Sequence, residues 1–167
     1  MGTFAQDELK NVVSNFSLTG EATSVTPYGN GHINDTFLLI MNQEGKEKHY
    51  ILQRMNREIF KNTDELMENV MRVTSFLKKK ILEQGGNPDR ETLQVIPTKD
   101  GKDYYTDSED YGWRIYPFIT DTVSYDAGGK EELNKSGIAF GNFQYLLSDF
   151  PAKELHETIP DFHNTPV

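Results

Sequence analysis

Between two stretches rich in β-branched and aromatic residues lies the segment Gly29-Asn30-Gly31-His32-Ile33-Asn34. Glycines in such a loop let backbone N–H groups approach a phosphate closely, because no Cβ holds the ligand away. The segment has the first two glycines of a G-x-G-x-x-G loop, which in a dinucleotide-binding turn leads into a helix. Here the β-rich run Thr36-Phe37-Leu38-Leu39-Ile40 follows instead, so a hairpin lid over phosphates fits better than a strand-to-helix turn. A plain β-hairpin with Asn-Gly turn chemistry accounts for the same residues without any ligand.

A kinase-type lid needs a cation on the third strand and an acid on the following helix, the pair that positions ATP phosphates. Arg54 and Glu68 stand in those places. The usual lysine is replaced by Gln53-Arg54, and strand alternation lets only one of the two face a cleft. Arg54 is favoured for its charge, with Gln53 as the alternative. Glu68 is also four residues before Arg72, the spacing of an exposed helical ion pair. Farther on, Gly112 to Asp121 reads as a strand running into a hinge, where the main chain of Tyr116, Pro117, Phe118 and Ile119 would recognise adenine. Pro117 can accept there through its carbonyl but cannot donate. The competing reading is an edge strand carrying core aromatics. His32, His49, His156 and His163 share no metal-ligand spacing, and no metal site is expected among them.

The 167 residues suit one ordinary domain, and 36% hydrophobic with 11% aromatic residues are enough for a packed core. A mean hydropathy of -0.63 nevertheless leaves much polar surface. The formal charge of -9 argues against a nucleic-acid partner. It is unevenly placed: residues 1 to 85 carry 10 basic and 11 acidic side chains, residues 86 to 167 carry 7 and 15, so a small anion meets less repulsion in the first half. The absence of cysteine excludes disulfides and thiolate chemistry and fits a cytoplasmic location. The longest apolar run, Phe37 to Met41, falls far short of the roughly 20 residues that span a bilayer, so no membrane association is expected.

These residues need elements to hold them. Phe4, Leu9, Val12, Val13 and Phe16 predict a short amphipathic helix. Ala22 to Ile40 reads as strand, glycine turn, strand, and Gln43-Glu44-Gly45-Lys46 as a second turn into a strand over His49 to Met55. Leu66, Val70, Val73, Leu77 and Ile81 predict a long helix, capped by Asn62-Thr63-Asp64 and stopped at Gly85-Gly86-Asn87-Pro88. Leu93 to Ile96, Lys102 to Thr106 and Tyr111 to Ile119 read as further strands. A last helix over 130 to 149 gathers Leu133, Ala139, Phe140, Phe143, Leu146, Leu147 and Phe150 on one side.

Taken in order, Tyr28-Gly29-Asn30-Gly31-His32-Ile33-Asn34-Asp35-Thr36-Phe37, Tyr50-Ile51-Leu52-Gln53-Arg54-Met55-Asn56 and Leu66-Met67-Glu68-Asn69-Val70 resemble the N-acetylhexosamine 1-kinase group of aminoglycoside phosphotransferase-like kinases. Arg114-Ile115-Tyr116-Pro117-Phe118-Ile119 and Thr158-Ile159-Pro160-Asp161-Phe162-His163-Asn164-Thr165 extend the resemblance over nearly the whole chain. It implies an α+β fold: a protein-kinase-like N-lobe with an antiparallel sheet of about five strands and a long helix packed on it. Residues 1–119 would form that lobe. Residues 120–167 would supply the hinge, a linker and the first helix of a second lobe.

The resemblance implies transfer of the γ-phosphoryl of ATP, with Mg²⁺, to the anomeric hydroxyl of N-acetylglucosamine or N-acetylgalactosamine. A choline-like or homoserine-like kinase, or a non-catalytic module of the same fold, are the alternatives. Gly29 to Asn34 would be the phosphate loop, with His32 and Asn34 facing the cleft. Arg54 or Gln53 would be the strand cation, Glu68 its acid and Tyr116 to Ile119 the hinge. The family's catalytic aspartate and Asn/Asp metal ligands lie beyond the matched segments, and no residue here matches them. The expectation is therefore an N-terminal portion that is inactive alone and open to homodimer formation through helix 130–149.

Overall fold

In the computed structural model, residues 4–29, 31, 33–123, 125 and 127–162 are described. Among them, the strands β1 (Glu21–Pro27), β2 (Asp35–Gln43), β3 (Lys46–Arg54), β4 (Tyr105–Thr106) and β5 (Gly112–Pro117) form one antiparallel sheet in the order β1-β2-β3-β5-β4. The helices are α1 (Gln6–Val13), α2 (Thr63–Glu83), α3 (Pro88–Glu91) and α4 (Lys130–Leu146). This is the α+β class expected, a five-stranded sheet with a long helix.

The turn chemistry sets the meander. Glu44 and Gly45 both take positive φ, 54° and 80°, the geometry of the tight hairpin turn whose twist suits its flanking strands. It pairs β2 with β3 without a break from Gln43–Lys46 to Asp35–Arg54. In β1 the register shifts between Ala22 and Ser24, and this extra residue lets Ala22 and Val25, three apart, reach the same core.

Strand alternation then divides the sheet into two faces. One carries Val25, Phe37, Leu39, Leu52, Trp113 and Ile115, all buried under α1 with Leu9, Val12, Val13 and Phe16. The opposite face carries Leu38, Ile51 and Tyr116 in one cross-strand row and Thr36, Gln53 and Arg114 in the next. The second row is polar, which is why it reads poorly as core.

The α2 helix starts where the Asn62 side chain accepts from the Glu65 N–H at 3.2 Å. It stops as predicted at Gly85, whose φ of +73° permits the Gly86 N–H to reach Ile81 O at 2.9 Å and the Gly85 N–H to reach Leu82 O at 3.0 Å. Its second half packs Leu77 and Ile81 against Leu146, with Phe76 edge-on to Phe150 at 5.1 Å.

Several boundaries differ from the sequence reading. The strand expected over Leu93 to Ile96 is a single bridge, Ile96 to Ile115, and that over Lys102 to Thr106 shrinks to Tyr105–Thr106. Edge pairing is short here because β5 offers β4 only Gly112 and Trp113. Asn87-Pro88 both stops α2 and opens α3, with the Asn87 side chain accepting from the Asp89 N–H and proline at the first turn. The last helix ends at Leu146; on its expected apolar side Leu133 and Phe140 are each at least 66% exposed, whereas Leu146 is buried against α2. No helix among the described residues is long and apolar enough to cross a membrane.

Candidate functional site

The predicted hinge residues come together. Tyr116, Pro117, Phe118 and Ile119 line a cavity of about 280 Å³ together with Tyr28, Thr36 and Ile51. Tyr28 meets Phe118 edge-on at 5.5 Å, which ties the end of β1 to the hinge. Hydrogen-bonding direction alternates along a strand. The Phe118 N–H donates to His49 O at 3.1 Å, so the carbonyl of Pro117, one residue earlier, points away from β3. Neither that carbonyl nor the Ile119 N–H has a hydrogen-bond partner among the described residues. The main chain thus gives this cavity one acceptor and one donor, two residues apart, beside the polar side chains of Thr36, Asp89, Thr92, Gln94 and Thr122.

Next to that row, the polar one is wired across three strands. Arg114 donates to Gln53 Oε1 from Nε at 3.0 Å and from Nη2 at 2.6 Å, and Gln53 Nε2 donates to Thr36 Oγ1 at 3.1 Å. The remaining contact of the guanidinium is Met67 Sδ on α2, 3.9 Å from Nη1. Burial lowers the pKa of Arg114, while the neighbouring Tyr116 pulls it back up. Tyr116 is itself pushed up by burial and held down by Arg114.

This corrects the choice between Gln53 and Arg54. Gln53 is on the face that carries the hinge cavity; Arg54 is on the other. There Arg54 donates to Asp35 Oδ2 from Nε at 2.9 Å and Nη2 at 2.7 Å, and its guanidinium stacks over Phe4 and Tyr111 at 4.4 and 4.2 Å. The pairing of Arg54 with Glu68 is likewise absent. Glu68 instead accepts from Arg72 at 2.5 Å, as its helical spacing allowed, and bonds His156 Nε2 at 2.6 Å. These two hydrogen bonds, Arg72 first, hold its carboxyl below the usual range.

Glu68 therefore anchors the end of the described chain. Asn69 exchanges two hydrogen bonds with the His156 backbone, Arg72 reaches Glu154 at 2.8 Å and Lys80 reaches Asp149 at 2.5 Å. Residues 146–156 are stitched along α2.

The glycine loop is partly described. Gly29 has φ +77°, a conformation only glycine adopts freely, whereas a Cβ at Gly31 would meet nothing within 4 Å. The Asn34 side chain is turned to structure: its oxygen accepts from the Asn56 N–H at 2.9 Å while Asn56 Nδ2 donates to Ile33 O at 2.9 Å. Gly29, Gly31 and Asn34 line a second cavity, of about 690 Å³, together with Arg54, Asp35 and Tyr111, so the predicted loop and Arg54 share one cavity even though Arg54 is turned to Asp35. Asn30, His32 and the segment His163-Asn164-Thr165 lie outside the described residues. Sequence reasoning gave no part in this cavity to Tyr28, Thr36, Ile51, Asp89, Thr92, Leu93, Gln94 and Thr122, and none to Arg114 in the adjoining polar row. The signal for Arg114 was present, a single charge between Trp113 and Ile115 in an otherwise apolar strand.

No family model matches the chain. Among solved structures it is similar to the spectinomycin phosphotransferase APH(9)-Ia, crystallised with ADP and spectinomycin, at 16% identity and a TM-score of 0.48. The likeness covers 78% of this chain and 35% of that one, so the chain spans about a third of that enzyme's length.

Proposed function

We propose that this chain is the nucleotide-binding lobe of an ATP-dependent small-molecule kinase. One observation carries the reading: Pro117 and Ile119, whose carbonyl and N–H have no partner among the described residues, line a cavity with the apolar side chains of Tyr28, Ile51, Leu93 and Tyr116 and a polar rim of Thr36, Asp89, Thr92, Gln94 and Thr122. A purine needs that combination, an apolar slot for its faces and one donor with one acceptor for its edge. In this reading Pro117 accepts from the exocyclic amine and Ile119 donates to a ring nitrogen, with the glycine loop over the phosphates.

The finer assignment follows the sequence resemblance. The acceptor is the anomeric hydroxyl of an N-acetylhexosamine, and the chemistry belongs to a protein that also supplies the base and the Mg²⁺ ligands, to which no residue of this chain is assigned. Residues 1–119 form the lobe, and 120–167 lead out of it.

Isothermal titration of the chain with ADP tests the lobe assignment. Gly31→Val is the discriminating variant, because the fold has open space there; it should weaken ADP binding at least tenfold while leaving Tm unchanged. Absence of any nucleotide binding would leave a non-catalytic interaction module. Sugar-dependent ATP turnover by the full natural gene product tests the acceptor, with choline and homoserine as competing substrates.

A further inference from the structure

We propose that Arg114, on β5, is the cation that meets the nucleotide phosphates, and that Gln53 on β3 holds it in place. The inference rests on the nucleotide reading above and adds the residue that reading leaves unassigned.

Position is the first argument. Along the sheet face the rows run Leu38–Ile51–Tyr116, then Thr36–Gln53–Arg114, then the glycine loop that joins β1 to β2. Arg114 is two residues back from Tyr116 and so on the same face, roughly 7 Å farther from the hinge. A ligand with its base at Pro117 and its phosphates toward the β1–β2 end of this face crosses the polar row, while Gly29, Gly31 and Asn34 border the neighbouring cavity that holds Arg54.

Charge is the second. Among the described residues no carboxylate pairs with Arg114. A guanidinium taken out of water without a counter-ion is costly, and such groups find an anion. Of the five N–H donors of arginine, Gln53 takes two and the Met67 sulfur one, a weak acceptor. Two donors remain for phosphate oxygens, one on each terminal nitrogen.

Two other cations of the region are paired with carboxylates, while Lys78 and Arg90 bond Gln94 Oε1 and the Thr120 carbonyl at the hinge end, off the polar row. Arg54 is bonded to Asp35 beneath the opposite face, and Arg72 to Glu68 and Glu154. Glu68, one residue from Met67 on α2, is held by Arg72 and His156, so it does not neutralise Arg114. The departure from a strand lysine then has a physical account. A lysine at position 53 would stand directly opposite Arg114 in the β3–β5 register, charge against charge, whereas glutamine supplies the carbonyl oxygen that fixes the fork.

The competing view makes Arg114 a structural hub joining Gln53 to α2. Calorimetric titration of wild type, Arg114→Gln and Arg114→Lys with ADP and with adenosine separates the two. Phosphate recognition predicts that Arg114→Gln weakens ADP roughly ten- to a hundredfold, changes adenosine less than twofold, and is partly rescued by lysine. Equal losses for ADP and adenosine, or no loss, would overturn the inference while leaving the nucleotide reading standing; a wild type that binds neither ligand would overturn both. Should Arg114→Gln not fold, the Arg114 Nε–H resonance of the wild type decides. It must shift with ADP and with pyrophosphate but not with adenosine, and a resonance indifferent to pyrophosphate rejects the assignment.

Discussion

Gln53 and Arg114 face each other across β3 and β5, and the Gln53 carboxamide oxygen accepts twice from the same guanidinium, at 3.0 and 2.6 Å. A half-buried arginine is thereby aimed by a neutral partner, which orients it without cancelling its charge.

Gln53→Leu keeps the volume and removes the acceptor, leaving Arg114 without its main partner. Stability should fall by about 1–3 kcal/mol, the cost of an unsatisfied buried donor. Gln53→Lys should fall further, because it adds repulsion to the lost bonds. Chemical denaturation of the two variants checks the order; equal stability to wild type would mean that the Gln53–Arg114 contact is not formed.

Arg54 and Asp35 are coupled beneath the other face, with side-chain exposures of only 18% and 24%. Arg54→Met should cost about 1–3 kcal/mol through the lost charge-assisted bonds and the stacking on Phe4 and Tyr111. A double-mutant cycle with Asp35→Asn should give a coupling energy clearly above zero. A cycle that closes additively would show the two side chains to be independent.

Gly20 has φ +89°, and a Cβ there would collide with the Asn42 carbonyl oxygen on the neighbouring strand. Gly20→Ala should therefore cost at least roughly 1–3 kcal/mol from backbone strain alone, and more because that oxygen is main chain and cannot swing aside. Thermal melts of Gly20→Ala beside Gly31→Val should show a large drop for the first and almost none for the second.

Acid should release the segment stitched along α2. Glu68 is held below its ordinary value of 4.5 by Arg72 and then His156, and Asp149 below 3.8 by Lys80. Both are depressed in the fold, so their contribution is complete above those ordinary values and fades as pH falls through the lower folded ones. Both groups are exposed, and the effect is local. The His156 and Asn69 amide resonances should move below pH 4.5 while those of the sheet stay put; a shift centred near neutrality would assign the docking to other groups.

Local chemistry determined a good deal of this protein. The Glu44-Gly45 turn, the Asn62 cap and the Gly85 stop are each written in a few adjacent residues, because turns and caps are short-range hydrogen-bonding problems. The end of β5 was legible for the same reason: a proline there cannot donate to its neighbour strand, and its carbonyl points the same way as its nitrogen. What only the tertiary structure decided was which side chain faces which neighbour. Alternation made Gln53 and Arg54 exclusive choices, but their sides depend on the register of β2, β3 and β5, which joins residues up to 67 positions apart. The same holds for Glu68, whose partner His156 is 88 residues away. Formal charge favoured Arg54 for the cleft; burial against Asp35, Phe4 and Tyr111 claimed it for the opposite face and left Arg114 as the cation on the face that carries the hinge cavity.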